Sequence, residues 1–129
     1  RDQVTLSYGE QGDATGIPVV LLHGLADSWH SFDLVAPHLP ASIHAFALSQ
    51  RGHGDSSRPA EGYRSQHFAG DLAAFMDVVD VEAAVIVAHS AAGFTAQRFA
   101  LDHPDRTLGL VFISSPFSMY HHPRAHHLP

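Results

Sequence analysis

Five short stretches of the chain have the apolar pattern of β-strands. The first alternates apolar and polar positions, which is typical of a strand with one buried face. The other four are short, largely apolar runs that end at a histidine or a serine, and this pattern favours strands buried inside a sheet. The predicted strands cover residues 4–8, 19–22, 43–48, 83–88 and 108–113.

One segment has the pattern of an amphipathic helix. Between residues 66 and 79, large apolar side chains recur at three- and four-residue spacing, so one helix face is predicted to pack against a core. These side chains are Phe68, Leu72, Phe75, Met76 and Val79. Ser65 is the predicted N-cap, because its hydroxyl can accept a hydrogen bond from the first helical turn.

Two further helical segments lie between the predicted strands. Residues 28–39 have apolar positions at helical spacing, but Pro37 interrupts the pattern, so only short, irregular helix is expected there. A second helix is expected after Ser90, with His103 and Pro104 at its end. Strands that alternate with helices predict an α/β fold with a mostly parallel sheet of about five strands and flanking helices.

A serine stands where the fourth predicted strand becomes a helix, in the run Ala88-His89-Ser90-Ala91-Ala92. Such a tight turn lifts the serine out of the sheet and leaves room only for small neighbours. The following helix directs free N–H groups at the same point, so the Ala91 N–H is a candidate donor to a developing oxyanion. A serine between alanines is also a common helix N-cap. The pentapeptide alone therefore leaves a structural and a catalytic role open.

A second motif, His23-Gly24-Leu25, follows another buried strand. Its glycine permits close backbone approach, and the Leu25 N–H can supply a second oxyanion donor. With the runs 50–56 and 102–106, these motifs resemble the α/β-hydrolase superfamily, in the branch of small esterases, lactonases and carbon–carbon bond hydrolases. The resemblance spans about residues 4–116.

The resemblance implies a role for several residues. Ser90 would be the nucleophile, and the N–H groups of Leu25 and Ala91 would form the oxyanion hole. Because related epoxide hydrolases and haloalkane dehalogenases use an aspartate there, Ser90 favours acyl transfer from a small carboxylic ester or lactone. Trp29 and His89 are expected in the substrate pocket, and no cofactor or metal is implied.

The sequence departs from the family pattern at three positions. Ala88 and Ala92 stand where the family usually has glycine, and Ser49 stands where many relatives have an aspartate. The two extra methyl groups tighten the turn around the nucleophile. None of these differences removes a catalytic group.

Composition narrows the possible partners. Thirteen acidic residues against seven basic ones give a net charge of −6, so a nucleic-acid partner is not expected. The chain has no lysine and no cysteine, which excludes Schiff-base and thiol nucleophiles. Its apolar runs are far shorter than the roughly 20 residues of a membrane-spanning helix. We expect no membrane partner and a cytoplasmic location.

The residues after Ser90 do not complete a triad. The family's acid and histidine follow the nucleophile on later loops, whereas the only acidic residues after Ser90 are Asp102 and Asp105. With His103 they lie about 12 residues further on, or roughly 18 Å of helix. A full domain would be roughly twice this length. We expect residues 1–116 to be an N-terminal core, and residues 117–129 to be a histidine-rich tail or the start of a missing lid region.

Three interpretations stay open. The chain is a catalytically incomplete fragment, or a small hydrolase whose base is a tail histidine, or an oligomeric binding module whose tail holds zinc, nickel or copper. The histidines concerned are His121, His122, His126 and His127. A tail that coordinates nothing is expected more often than a metal site. Because the last predicted strand would be an open sheet edge, we also expect a homo-oligomer formed through that edge.

Overall fold

A five-stranded sheet forms the centre of the structure, a computed structural model that describes residues 3–114. The strand order is β1-β3-β2-β4-β5. β1 is antiparallel to β3, and every other neighbouring pair is parallel. The strands are β1 (Tyr8–Gln11), β2 (Ile17–Leu22), β3 (Ile43–Leu48), β4 (Ala84–His89) and β5 (Thr107–Ile113).

The register brings the carboxyl ends of the inner strands to one edge of the sheet. Leu22 of β2 lies opposite Leu48 of β3 and opposite Ala88 of β4. The segments that begin at His23, Ser49 and Ser90 therefore leave the sheet side by side. This edge is where parallel sheets bind their ligands.

Two α-helices cover one face of the sheet. They are α1 (Ser65–Val78) and α2 (Ala92–Asp102). Between them and the sheet lies the larger core, whose fully buried members include Phe46, Ile86 and Phe99. Two 3₁₀ turns, at Trp29–Phe32 and Ala36–His38, lie at the opposite face beside a smaller cluster. That cluster contains Val19, Leu21, Phe32 and Ala47.

Because both faces are covered, the inner strands are apolar without alternation. β3 has five buried residues in succession, and β2 ends with four. The predicted fold class is confirmed by this mostly parallel sheet with flanking helices. Pro37 lies at the start of the second 3₁₀ turn, and residues 28–39 form no α-helix.

The strand predicted at residues 4–8 was wrong, because β1 starts at Tyr8 and runs to Gln11. Residues 5–7 bind instead to the irregular loop after β3. The Thr5 N–H donates to the Ser57 hydroxyl at 2.7 Å, and the Ser7 N–H donates to the Ser56 hydroxyl at 2.9 Å. The alternation of apolar and polar residues along this segment indicated that one face is buried. A neighbouring loop can bury that face as well as a neighbouring strand can.

The predicted N-cap of α1 was also wrong by one residue. Ser65 is the first residue of the helix, and the N-cap is Arg64, which has an extended backbone with φ −90° and ψ 164°. The Arg64 N–H donates to the Nδ1 atom of His67 at 3.2 Å. A histidine one turn into the helix therefore binds back to the cap, and the Ser65 hydroxyl is not needed for it.

β5 is the last strand in the sheet order. Its residues Leu108 and Val111 are 59% and 44% exposed. No helix among residues 3–114 is long and apolar enough to cross a membrane. The expected core boundary at residue 116 and the tail at residues 117–129 lie outside the described residues.

Candidate active site

Ser90 is the residue at which β4 turns into α2. Its φ of 55° lies in the left-handed region, which non-glycine residues seldom adopt. The Ser90 N–H donates to the carbonyl of Ile113 on β5 at 3.0 Å, and the Ser90 carbonyl accepts from the Gly93 N–H at 3.0 Å. The neighbouring strand and the first turn of α2 thus hold the strained backbone from both sides.

The turn after β2 packs directly against Ser90. A Cβ atom at Gly24 would lie 3.1 Å from the Ser90 Cβ and 3.2 Å from the Nδ1 of His89. Both distances are shorter than ordinary carbon contacts, which are about 3.5–4.0 Å. Position 24 is therefore a site of close approach, where a side chain would crowd both neighbours.

Two N–H groups beside Ser90 are available to a ligand. Neither the Leu25 N–H nor the Ala91 N–H finds an acceptor among residues 3–114. Both residues are exposed, and both line one cavity of about 660 Å³. Aromatic side chains of Tyr63, Phe68 and Phe94 form much of the rest of its wall. The cavity thus combines two free donors with a largely apolar surface.

His23 is fully buried, and both of its ring nitrogens are engaged. Its Nδ1 lies 2.7 Å from the Gly24 carbonyl oxygen, and its Nε2 accepts from the Gln50 N–H at 2.9 Å. Since the Gln50 amide can only donate, Nδ1 is assigned the proton and the ring is neutral. His23 therefore shapes the turn after β2 and has no nitrogen left to act as a base.

Burial lowers the pKa of His23 below its ordinary value of 6.5, because a charged ring would lose its hydration. The hydrogen bond to the Gly24 carbonyl acts in the opposite direction, and the His53 ring adds a smaller lowering effect. The centroids of the His23 and His53 rings are 4.8 Å apart. A neutral His23 is the form that keeps Nε2 as an acceptor.

An ion pair fixes the loop after β3 to α1. The Arg51 guanidinium donates to both carboxylate oxygens of Asp71, at 2.6 and 2.7 Å, and to the Gly62 carbonyl at 2.8 Å. Both charged side chains are largely buried. This two-point geometry is the strong form of an arginine–carboxylate contact.

The two expected pocket residues lie outside the lining of this cavity. Trp29 stacks on His30 with 3.8 Å between ring centroids, packs over Gly9, and lines a separate cavity of about 220 Å³. His89 is half-buried beside Gly24. The roles expected for Trp29 and His89 in the substrate pocket stay predictions. Position near a strand end does not by itself determine the direction of a side chain.

Several cavity residues were missed by sequence reasoning. Phe68 was assigned to the core from helical spacing, but it is only half-buried and faces the cavity. Phe94 lies in the first turn of α2, and this proximity to Ser90 was an available signal. Tyr63, Gln50 and Thr95 come together only through the tertiary fold.

The described residues do not contain a triad. The Ser90 hydroxyl has no hydrogen-bond partner among residues 3–114. Asp102 forms an ion pair with Arg98 at 2.9 Å, at the far end of α2, whose 11 residues span about 16 Å. His121, His122, His126 and His127 lie outside the described range. Within that range no cluster of three or more metal-ligating side chains occurs.

Residues 17–127 match the family described as alpha/beta hydrolase fold. The chain belongs to the alpha/beta hydrolase family. It is 40% identical over 109 residues to epoxide hydrolase B of Mycobacterium tuberculosis (strain H37Rv), covering 82% of this chain and 31% of that protein. Haloalkane dehalogenase of Mesorhizobium japonicum is 34% identical over 109 residues, covering 84% of this chain and 35% of that protein.

A solved structure of another alpha/beta hydrolase relative has a similar fold. "Est816 as an N-Acyl homoserine lactone degrading enzyme" superposes with a TM-score of 0.82 and 34% identity, covering 89% of this chain and 44% of that one. The chain spans about a third of the length of the curated relatives above. The family expected from the sequence is confirmed. The relatives extend beyond the expected ester and lactone branch to epoxide hydrolases and dehalogenases.

We expect Gly24→Ala to destabilise the fold by about 1–3 kcal/mol, because its Cβ would crowd Ser90 and His89 and force them to shift. Urea unfolding measures the effect. Gly70→Ala in α1 is the matched control, since a Cβ there meets nothing within 4 Å. Alanine favours the helix, so this control should stabilise by about 0.5–1 kcal/mol. Equal changes in the free energy of unfolding for Gly24→Ala and Gly70→Ala would contradict the close approach at Gly24.

Stability should fall on acidification through the titration of His23. Its folded pKa is lowered, so below about pH 6.5 the unfolded chain binds a proton that the folded ring excludes. The contribution of neutral His23 to the free energy of unfolding is complete above about pH 6.5 and is lost as the pH falls towards the folded pKa. Urea unfolding of the wild type should thus depend more steeply on pH in that window than that of His23→Gln. A His23 NMR titration midpoint at or above 6.5 would refute this.

Proposed function

We propose that this chain provides the nucleophile and oxyanion hole of a serine hydrolase acting on small carboxylic esters or lactones. The observation that carries the proposal is the left-handed backbone of Ser90 next to Gly24, with two unpaired N–H groups beside it. Strained serines at a strand-to-helix turn are typical of nucleophiles in this family. The apolar cavity wall suits the hydrocarbon part of a small ester.

The reaction would proceed through an acyl-enzyme. A base removes the Ser90 hydroxyl proton while the oxygen attacks the substrate carbonyl carbon. The carbonyl oxygen becomes an anion held by the Leu25 and Ala91 N–H groups. Collapse breaks the carbon–oxygen bond to the leaving alkoxide, which takes the proton from the base. Water then cleaves the Ser90 ester by the same steps and releases the acid.

The chemistry of a hydroxyl nucleophile favours carbonyl substrates over epoxides and haloalkanes. Attack of Ser90 on an epoxide or haloalkane carbon would form an ether, which has no carbonyl for water to attack, so the enzyme would turn over once. Attack on an ester or lactone forms a new ester that water can hydrolyse. We therefore assign the carbonyl reaction to Ser90, although named relatives include an epoxide hydrolase and a haloalkane dehalogenase.

The base is proposed to be a histidine of the C-terminal segment. The candidates are His121, His122, His126 and His127. His23 does not serve, because both its ring nitrogens are hydrogen-bonded. A histidine without an orienting carboxylate works less well, since its tautomer and ring position are not fixed. We therefore expect slow turnover from the chain alone.

A phosphonate probe tests the nucleophile directly. We expect a fluorophosphonate to add one label per chain at Ser90, measured by intact mass and peptide mapping, and Ser90→Ala to abolish it. Ser114→Ala is the matched control, because Ser114 is an exposed serine with φ 48° just beyond β5. This control should label like the wild type.

Substrate turnover distinguishes the competing chemistries. We expect the wild type to hydrolyse 4-nitrophenyl acetate and a γ-lactone but not styrene oxide. Two double variants locate the base, one with alanine at both His121 and His122 and one with alanine at both His126 and His127. The double variant that lacks the base should hydrolyse the ester at least tenfold more slowly. Label retained in Ser90→Ala, or steady hydrolysis of styrene oxide, would refute the serine mechanism.

We further propose that a second copy of the chain binds at β5. Exposed apolar side chains on an edge strand favour strand pairing between molecules. Leu108 and Val111 supply that surface. Light scattering should give a dimer for the wild type and a monomer for Leu108→Lys/Val111→Lys. Leu34→Lys, which alters an 87% exposed leucine elsewhere, should remain dimeric. A monomeric wild type would contradict this proposal.

A further inference from the structure

Gln50 lies between the two segments that carry the proposed oxyanion donors. It is the second residue after β3, and its side chain is nearly buried, with 8% of the residue exposed. On one side is the turn that contains Leu25, and on the other is α2, which follows Ala91. Gln50 also lines the cavity that Leu25 and Ala91 line.

On the first side, Gln50 binds His23 twice. Its backbone N–H donates to the His23 Nε2 at 2.9 Å, and its side-chain amide donates to the His23 carbonyl at 3.1 Å. The His23 ring in turn holds the Gly24 carbonyl at 2.7 Å. These bonds fix the backbone on both sides of the Gly24 peptide, immediately before the Leu25 N–H.

On the second side, the Gln50 Oε1 accepts from the hydroxyl of Thr95 at 3.4 Å. This distance is long for a hydroxyl donor, so the contact is the weaker half of the bridge. Thr95 is buried in α2, one helical turn beyond Ala91. The side-chain amide of Gln50 therefore connects the turn after β2 to the helix that begins at the nucleophile.

We propose that Gln50 is a positioning residue that fixes the Leu25 and Ala91 N–H groups relative to each other, by bridging His23 and Thr95. The inference rests on the proposed oxyanion hole. Oxyanion donors stabilise the transition state only when they lie about 2.7–3.1 Å from the developing charge, so a small change in their separation slows the chemical step.

The primary amide suits this position because it donates at one end and accepts at the other. Glutamate could accept from Thr95 but could not donate to the His23 carbonyl, and its charge would be buried. Methionine has similar length and makes neither hydrogen bond. Gln50→Met is therefore the variant that removes the bridge with the least change in volume.

The kinetic test separates positioning from folding. With an activated ester, we expect Gln50→Met to lower kcat about tenfold, counted per phosphonate-labelled site, with KM within about twofold of wild type. The oxyanion exists only in the transition state, so ground-state binding is spared. Thr95→Val should lower kcat about threefold, and Thr95→Ser should restore it. Gln11→Met, which alters a half-buried glutamine of β1 whose side-chain amide donates to the Ala36 carbonyl, should retain wild-type kcat.

A second measurement does not depend on activity. The backbone amide resonances of Leu25 and Ala91 should both shift in Gln50→Met and remain in place in Gln11→Met. If the wild type neither labels nor hydrolyses esters, the proposed function fails, while these amide shifts still test the bridge. Unchanged amides, or an unchanged kcat per labelled site, in Gln50→Met would overturn the inference. Should Gln50→Met not fold, the Thr95→Val and Thr95→Ser pair provides the same comparison.

Discussion

The contact between Gly24 and Ser90 is the constraint on which the site depends. Two parallel strands in register, with Leu22 opposite Ala88, deliver their following turns to the same point. The turns pack this closely because position 24 has no side chain. Strand register thus determines the chemistry that this edge of the sheet can support. A one-residue slip between β2 and β4 would turn the side chains of one strand to the opposite face and separate the two turns.

The strained backbone of Ser90 is supported by elements that bind no substrate in the proposed reaction. β5 accepts its N–H through Ile113, and α2 donates to its carbonyl through Gly93. A left-handed residue of this kind costs about 1–3 kcal/mol, and it persists only where the surroundings hold it. The last strand of the described sheet therefore contributes to the site as well as to the core, although it lines no part of the cavity beside Ser90.

Much of the fold could be predicted from the local pattern of apolar and polar residues, but the residues of the cavity wall could not. Residues 43–48 were predicted with the correct bounds because a strand between two covered faces is largely apolar, with His44 as the polar member of β3. The turns at Gly24 and Ser90 could be predicted because each motif consists of residues that are adjacent in the sequence. The core position predicted for Phe68 was wrong, since burial depends on neighbours distant in sequence. The Gln50 bridge joins residues 27 and 45 positions apart, and no periodicity reports such a contact.

The ion pair between Arg51 and Asp71 has a consequence for how the molecule can change. It braces the loop after β3 on α1 at a site apart from the strand ends, and the aromatic wall of the cavity comes largely from α1 and the residues just before it. The loop that carries Gln50 and the helix that carries Phe68 are thus held together by one ion pair. Loss of Asp71 would release the Gln50 loop and α1 from each other, so the two sides of the cavity do not vary independently at this contact.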